Sequence, residues 1–204
     1  MSKRGPYAKG QERRDEILRA AVEVISREGY RGASLSQIGR SIGIDSAHII
    51  YYFSSREVLL QEVLRLWDEG NVANLTPGTD IFAWLVEGAK RNTETPGLVQ
   101  LYTAFAAEAA DPIHPAHDFF RARFEALQGY IAADIRARQA AGTVKATLDA
   151  DHAAMMLIAQ SDGLQVRWLV DRSIDMAGAL ATEIDLLLGT ICSPAGVHGR
   201  PQMG

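Results

Sequence analysis

One stretch in the middle of the chain repeats metal-binding types of side chain at every third position. These residues are Glu108, Asp111, His114 and His117. Carboxylates and imidazoles are common ligands of zinc and other transition metals. Pro112 and Pro115 interrupt any continuous helix here, so the spacing does not force the four side chains to converge. We predict no metal site, and a small metal-dependent or hydrolytic enzyme is the alternative that this spacing would support.

No other segment shows the motif of a common enzyme class. The sequence contains no G-x-S-x-G, no H-E-x-x-H and no P-loop. Cys192 is the only cysteine, so no internal disulfide can form and we expect an unpaired thiol. We therefore predict that the protein is not an enzyme and has no cofactor.

The composition is that of a globular protein. The 204 residues are 47% hydrophobic and 23% charged, and no apolar run approaches the roughly 20 residues of a transmembrane helix. The segment Met1 to Gln11 is polar and basic and lacks the apolar core of a secretory signal. We expect a cytoplasmic protein without a membrane partner.

Charge is distributed unevenly along the chain. The net charge of −4 by itself argues against nucleic acid as a partner. However, residues 1–56 carry ten basic and six acidic side chains, whereas the rest of the chain carries eleven and nineteen. A basic first segment on an acidic body suits a protein that presents one face to phosphates.

Nearly every segment has helical periodicity, and none alternates in the way of a strand. Capping residues, glycines and prolines divide the chain into nine predicted helices, so the predicted fold class is all-α. The first helix covers about Glu12 to Glu28, the fourth begins at the capping box Ser54-Ser55-Arg56-Glu57, and the seventh begins at Pro115. The eighth covers about Asp149 to Val170, and the ninth covers about Ser173 to Ile191.

The second and third predicted helices are short and joined by a tight turn. This is the pattern of a DNA-binding helix-turn-helix, here from Ser34 to Phe53. Ser34 and Gln37 form an S-x-x-Q capping box, Gly43 permits the turn, and Asp45 can cap the helix that follows. Such a motif places its second helix in the major groove.

The segment from Ile17 to Leu60 resembles the DNA-binding domain of the TetR family of bacterial regulators. The matching residues are Ile17-Leu18-Arg19-Ala20-Ala21, Gly29-Tyr30, Ser34, Ile38, Gly43-Ile44, Tyr51-Tyr52-Phe53, Ser55-Arg56-Glu57 and Leu59-Leu60. The resemblance implies a nine-helix protein with an N-terminal three-helix domain that binds DNA. It also implies that the remaining helices bind a small molecule and form a homodimer.

Four residues depart from the usual pattern of the family. Gly39 replaces an alanine, Asp45 replaces a serine, Ala47 stands where glycine is frequent, and Ile50 replaces a tyrosine. That tyrosine often contacts DNA in the family, so we do not transfer its role to Ile50, which could instead touch a thymine methyl. A helical adaptor that has lost operator binding is a second alternative, supported by Asp45 and Ile50.

The resemblance implies roles for the DNA-facing residues. Those expected at base edges in the major groove are Ser46, Ala47, His48 and Tyr51. Those expected at backbone phosphates are Ser34, Gln37, Tyr52 and Arg56. Lys3, Arg4 and Lys9 belong to a basic segment that could enter the adjacent minor groove or could only keep the chain soluble.

Beyond Leu60 the resemblance rests mainly on helix order. It implies a ligand pocket among helices four to eight, with the candidates Trp67, Trp84, Tyr102, Phe105, Phe124, Met155 and Asp162. All seven are also typical of an ordinary core at helical spacing. It implies a dimer interface on the last two helices, with the candidates Leu157, Leu164, Trp168, Leu180, Ile184, Leu187 and Leu188.

The segment Ala106 to Asp171 also resembles the C-terminal domain of choline-responsive-type repressors, but we infer no choline effector from that. The predicted domains are a flexible basic arm at 1–10, a DNA-binding domain at 11–71, a ligand-binding and dimerisation domain at 72–191, and a flexible tail at 192–204. The predicted function is a ligand-responsive repressor, whose homodimer leaves a palindromic operator when a small-molecule effector binds.

Overall fold

The computed structural model describes residues 6–72 and 78–189, which form nine α-helices and no strand. The helices are α1 (Pro6–Glu28), α2 (Leu35–Ser41), α3 (Ser46–Phe53), α4 (Arg56–Val72), α5 (Ile81–Asn92), α6 (Pro96–Glu108), α7 (His117–Ala140), α8 (Ala150–Val170) and α9 (Met176–Leu188). The predicted all-α fold class is confirmed. No helix within the described ranges is long and apolar enough to cross a bilayer.

The first four helices share one cluster of buried side chains with α6. The apolar stripe of α1 packs against α2, α4 and α6, and its Ile17 and Ile25 are completely buried. Ile38 of α2, Ile49 of α3 and Leu60 of α4 fill the same cluster. Because every element of the helix-turn-helix has a residue in this cluster, the position of α3 is fixed by packing.

A second buried cluster joins α5, α7, α8 and α9. In it, α7 packs along α8, and α5 packs along α9. Ile131 and Leu157 are among its buried members. Trp67 of α4 and Phe124 of α7 contact both clusters, so these two side chains lie where the two halves of the molecule meet.

The start of α6 lies unusually close to the end of α1. A Cβ atom at Gly97 would overlap the carbonyl oxygen of Ile25. Glycine at this position therefore lets two helix backbones touch, as close approach requires. The contact fixes α6, which also carries Tyr102, directly to the half of the molecule that contains α3.

The N-terminal boundary differs from the prediction. α1 begins at Pro6 and not near Glu12, so residues 6–10 of the predicted flexible arm are helical. Proline suits the first helical position because its missing N–H needs no partner there. Lys9 is exposed on this helix, and Lys3 and Arg4 lie outside the described residues.

Helix α7 begins at His117 and not at Pro115. Two successive turns precede it, one closed by the bond from the His114 N–H to the Asp111 carbonyl at 3.0 Å and one by the bond from the His117 N–H to the His114 carbonyl at 2.9 Å. These turns use the backbone that a longer helix would need.

Two further helix starts are set by caps other than those predicted. In α4 the cap is Ser55, whose Oγ accepts a hydrogen bond from the Val58 N–H at 3.1 Å, while Ser54 has a positive φ of 64° at the end of α3. In α9 the cap is Asp175, which accepts from the Gly178 N–H at 2.9 Å. The predicted start at Ser173 lies in a turn, and Ile191 and the predicted tail lie outside the described residues.

Candidate DNA-binding surface and ligand pocket

Two side-chain caps define the helix-turn-helix. The Oγ of Ser34 accepts a hydrogen bond from the Gln37 N–H at 3.2 Å, and the Oε1 of Gln37 accepts from the Ser34 N–H at 2.9 Å, which is the predicted capping box. Gly43 makes the turn with a φ of 70°. Asp45 accepts a hydrogen bond from the His48 N–H at 2.7 Å and so caps α3 as predicted.

The turn also explains why glycine replaces the usual alanine at position 39. The Ile44 N–H donates to the Gly39 carbonyl at 2.9 Å, and a Cβ at Gly39 would overlap the Ile44 carbonyl oxygen. The turn therefore closes directly on the backbone of α2. This departure from the family pattern serves the geometry of the motif.

Helix α3 presents one face to solvent. Ile49 and Phe53 are buried and anchor it. On the opposite face, Ala47 and His48 are exposed, and Tyr51 is exposed over 82% of its surface. An exposed aromatic ring on an anchored helix indicates a contact surface, because large apolar area is otherwise buried.

Two predicted α3 contacts have partners within the protein. Tyr52 is half-buried, with its ring centroid 5.2 Å from that of Tyr51 and 5.5 Å from that of His48. The Oγ of Ser46 lies 3.1 Å from the Oγ of Ser36 and so links α3 to α2. Ile50 is 37% exposed and lies beside this surface.

Gln37 and Arg56, both predicted to contact phosphates, have structural partners within the protein. The Nε2 of Gln37 donates to Glu28 at 2.7 Å, in addition to its role in the capping box. The guanidinium of Arg56 donates to the carbonyls of Tyr30 at 2.5 Å and Ala33 at 3.3 Å. These contacts hold the start of α4 against the end of α1 and the start of α2.

A half-open cleft lies among α4, α5, α6, α7 and α8. Its cavity volume is about 60 Å³, which is below the roughly 300–1,000 Å³ of typical small-molecule sites. Four of the predicted pocket residues line it, namely Trp67, Trp84, Tyr102 and Asp162. The lining residues that sequence reasoning missed include Arg91, Arg123 and Gln165.

The other three predicted pocket residues do not line this cleft. Phe105 is buried in the first cluster, with its ring centroid 5.0 Å from that of His114. Phe124 packs between the two clusters. Met155 is 47% exposed on the outer face of α8. The apolar periodicity of the sequence predicts that each of the three lies on an apolar face of its helix. It does not predict which part of the molecule that face contacts.

A polar network crosses one side of the cleft. The Nε of Arg123 donates to Asp68 at 2.8 Å, and its Nη1 donates to the Tyr102 hydroxyl at 3.2 Å. That hydroxyl donates to Asp162 Oδ1 at 3.1 Å, and Gln165 Nε2 donates to the same oxygen at 3.4 Å. The network connects α4, α7, α6 and α8 through charged and hydrogen-bonded groups.

Burial shifts two of these groups toward their neutral forms. Burial raises the pKa of Asp162 to about 6, although the nearby Arg123 charge and the Tyr102 hydroxyl lower it. Burial also raises the pKa of the Tyr102 hydroxyl, which is therefore protonated at neutral pH. The cleft thus holds one carboxylate that ionises close to neutrality.

Of the four candidate metal ligands, Asp111 and His117 contact separate backbone groups. The Oδ1 of Asp111 accepts from the Ile113 N–H at 3.0 Å, and the Nδ1 of His117 lies 2.8 Å from the Ala109 carbonyl. His114 Nε2 lies 3.4 Å from Glu108, without the geometry of a hydrogen bond. Within residues 6–72 and 78–189, no three side chains of metal-binding type form a common site.

Most of the predicted dimer residues lie in the core of their own chain. Five of them are buried within their own chain and belong to the second cluster, and these are Leu157, Trp168, Leu180, Ile184 and Leu188. Leu164 and Leu187 are partly buried against that cluster. The exposed apolar side chains lie on other faces of the same helices, and they are Met155, Met156, Val166 and Val170 on α8 and Leu186 on α9.

Comparison with known proteins agrees with this architecture. Residues 17–63 match the family described as bacterial regulatory proteins, tetR family. The HTH-type transcriptional regulator PksA of Bacillus subtilis (strain 168) is 26% identical over 172 residues, which are 79% of this chain and 80% of that protein. The HTH-type transcriptional repressor NicS of Pseudomonas putida is 45% identical over 51 residues, which are 25% of this chain and 24% of that protein.

A solved structure extends the similarity to most of the fold. The crystal structure of a transcriptional regulator from Saccharomonospora viridis in complex with choline superimposes with a TM-score of 0.69 at 26% identity, covering 88% of this chain and 96% of that chain. The relatives are regulators and not enzymes. The match of residues 17–63, the sequence similarity along most of the chain and the shared fold together make this protein similar to transcriptional regulators of the TetR family.

Proposed function

We propose that the protein is a homodimeric repressor that binds a palindromic operator through α3 and leaves it when a small molecule occupies the cleft. The observation that carries the proposal is the surface of α3, a short anchored helix with His48 and Tyr51 directed to solvent. Residues 11–71 would bind DNA, and residues 72–191 would bind the effector and pair the subunits. The protein would act in the cytoplasm.

In the proposed complex, α3 lies in the major groove. The imidazole of His48 and the phenol of Tyr51 can form hydrogen bonds with base edges, and Ala47 and Ile50 can contact thymine methyl groups. Tyr52 would reach a phosphate from the edge of this surface, and Lys3 and Arg4 would add charge nearby. Ser34, Gln37, Ser46 and Arg56 would act by positioning the backbone of the motif.

A second copy of the chain would cover the outer face of α8. Met155, Met156, Val166 and Val170 are 47%, 48%, 51% and 87% exposed, which is a large apolar area for one helix in water. Ala159 and Gly163 are exposed on the same face, and their small size would let a second helix approach closely. A two-fold dimer of this kind presents two recognition helices about 34–36 Å apart, one turn of DNA.

Helix α4 would carry the response from the cleft to the DNA. At its start, Arg56 is bonded to carbonyls at the end of α1 and the start of α2. At its other end, Trp67 lines the cleft, Asp68 pairs with Arg123, and the Asn71 carbonyl accepts from the Trp84 Nε1 at 3.1 Å. An effector that favours a different tilt of α4 would shift the population to dimers whose α3 helices no longer match the groove spacing.

The experiment that tests the proposal is a selection of DNA duplexes by the purified protein from a random library, read by sequencing. We expect an enriched palindrome with half-sites about one helical turn apart. On that palindrome, Tyr51→Ala should weaken binding by about tenfold or more, because one base contact contributes roughly 1–3 kcal/mol.

Tyr130→Ala is the matched control, since Tyr130 is 59% exposed but lies on α7. It should bind the palindrome as the wild type does. No enriched sequence from a folded dimer, or equal losses in the two variants, would overturn the proposal and favour the adaptor without DNA binding.

A further inference from the structure

We propose that the cleft binds a small zwitterion of the amino-acid type, a molecule with a carboxylate and an N–H-bearing ammonium group on a compact apolar body. The proposal rests on the proposed function, in which the cleft is the effector site. Two lining side chains, Arg91 and Gln165, carry it, because each has a buried polar atom without a partner.

The first of these atoms, Arg91 Nη2, suits an anionic ligand group. Arg91 lies near the end of α5 and lines the cleft, and its Nη2 is buried without a hydrogen-bond partner. A guanidinium is always charged and offers only donors. Because a buried donor atom without a partner is costly, a ligand acceptor completes it, and a carboxylate matches the guanidinium best.

The second atom, Gln165 Oε1, suits a hydrogen-bond donor of the ligand. Gln165 of α8 is only 7% exposed, and its Oε1 has no partner. Its Nε2 is directed to Asp162 Oδ1 at 3.4 Å, which leaves the oxygen as the atom to be satisfied. Asp162 is one turn away and lines the same cleft. An amide oxygen beside a carboxylate suits the several N–H donors of an ammonium group.

The charges of the cleft select among ligand classes. Arg123 is paired with Asp68 at 2.8 Å, so Arg91 and Asp162 are the charges that remain for a ligand. An amine alone would leave Arg91 unpaired. A carboxylate alone would add a second negative charge and leave Gln165 Oε1 without a donor. A zwitterion satisfies both groups and keeps the buried site close to neutral.

Part of the remaining lining is apolar and would contact the body of such a ligand. Trp67, Trp84, Leu85 and Ile158 contribute apolar surface to the cleft. Burial of that surface adds affinity without specificity, whereas the two polar atoms distinguish ligands by their charged groups. An ammonium group next to Asp162 also stabilises its ionised form, which burial disfavours.

Isothermal calorimetry on the full-length protein with two matched sets of probes tests this directly. The first set is phenylalanine, 3-phenylpropionate and phenethylamine, and the second is leucine, 4-methylpentanoate and 3-methylbutylamine. Each set keeps the apolar body and removes one charged group. We expect at least one amino acid to bind about tenfold more tightly, or better, than its acid and its amine.

Two variants test whether Arg91 Nη2 and Gln165 Oε1 cause the preference for the amino acid. Arg91→Met should remove the advantage of the amino acid over the amine and keep its advantage over the acid. Gln165→Leu should reduce the advantage over the acid and keep the one over the amine. The inference is overturned if, in both sets, the amine or the acid binds the wild type as tightly as its amino acid, or if no probe of either set binds.

A separate DNA-release assay keeps this result distinct from the proposed function. An amino acid that binds in the calorimeter but does not release the selected palindrome supports the inference and contradicts the ligand-release mechanism. Absence of any DNA binding contradicts the proposed function alone, since calorimetry measures the cleft without DNA.

Discussion

Asp68 on α4 accepts a hydrogen bond from Arg123 on α7 at 2.8 Å, with only 18% and 20% of the two side chains exposed. Arg123 continues to the Tyr102 hydroxyl at 3.2 Å, and that hydroxyl reaches Asp162 at 3.1 Å. Helix α4, which extends from the DNA-binding half, is thus joined by an ion pair to α7 in the wall of the cleft. A molecule bound in the cleft would act next to this pair.

Removing the charge of Asp68 should destabilise the fold. Asp68→Asn leaves the buried Arg123 guanidinium without its carboxylate, so we expect the free energy of unfolding to fall by about 1–3 kcal/mol in urea titrations. The control is Asp118→Asn, which breaks a pair with Arg121 whose side chains are 85% and 60% exposed. That exposed pair should contribute less than about 1 kcal/mol. Equal losses of stability in the two variants would show that the buried Asp68–Arg123 pair contributes no more than the exposed Asp118–Arg121 pair.

Adding one methyl group at Gly97 should separate α6 from α1. The new Cβ would overlap the Ile25 carbonyl oxygen, so we expect Gly97→Ala to destabilise the protein by about 1–3 kcal/mol, measured by denaturant unfolding. Gly129→Ala is the control, because Gly129 lies within α7 with nothing near its missing Cβ. There, the better helix propensity of alanine should raise stability by about 0.5–1 kcal/mol. Two equally tolerated substitutions would argue against the close contact.

The stability of the protein should depend on pH through Asp162. Its pKa of about 6 in the folded state lies above the ordinary value of 3.8, because burial favours the neutral acid. The folded state therefore holds the proton more tightly than the unfolded chain. The contribution of Asp162 to stability is complete below about pH 4 and is lost as the pH rises through about 6.

Asp162→Asn removes this ionisation while keeping a similar shape. The difference in unfolding free energy, variant minus wild type, should rise by about 2–3 kcal/mol between pH 4 and pH 7. The neighbouring Arg123 and Tyr102, whose pKa values are both raised, keep their protonation in this range. Urea titrations at several pH values measure the difference. A constant difference, or one that grows toward acid, would contradict the raised pKa.

Introducing a charge on the outer face of α8 should break the dimer. Val166→Lys places an ammonium group where Met155, Val166 and Val170 would meet a second copy. We expect a monomer in light scattering coupled to gel filtration, together with weaker binding to the palindrome. Ile113→Lys is the matched control, since Ile113 is 89% exposed on the turns before α7. A dimer that survives Val166→Lys, or one lost equally in both variants, would place the interface elsewhere.

Local signals in the sequence were sufficient for most of the framework. The capping box of Ser34 and Gln37, the turn at Gly43 and the cap at Asp45 depend on neighbouring residues, so their patterns predicted them correctly. Where two neighbouring residues could each cap the same helix, the predicted cap was wrong. Ser54 and Ser55 can both cap a helix, and only the end of α3, which needs a positive φ at Ser54, decides for Ser55.

Tertiary relationships could not be read from periodicity. Helix α8 is apolar on two sides, so Leu157 and Val166 were equally suited to a dimer interface until packing placed Leu157 in the core of its own chain. The family resemblance implied a phosphate contact for Arg56, and nothing in the sequence indicated that it also binds the Tyr30 and Ala33 carbonyls. Gln165 stands between Asp162 and Arg167 in a stretch of mixed polarity, so no local signal in the sequence distinguishes it.

The most direct test of the central claim is the affinity of the protein for its selected palindrome before and after insertion of five base pairs between the half-sites. In the proposed complex, one dimer places two α3 helices on the same side of the duplex about one turn apart. Five base pairs turn one half-site to the opposite side, so we predict a loss of affinity of at least about tenfold in fluorescence anisotropy. Unchanged affinity would contradict the claim, because it would mean that the two half-sites are not bound by the two recognition helices of one dimer.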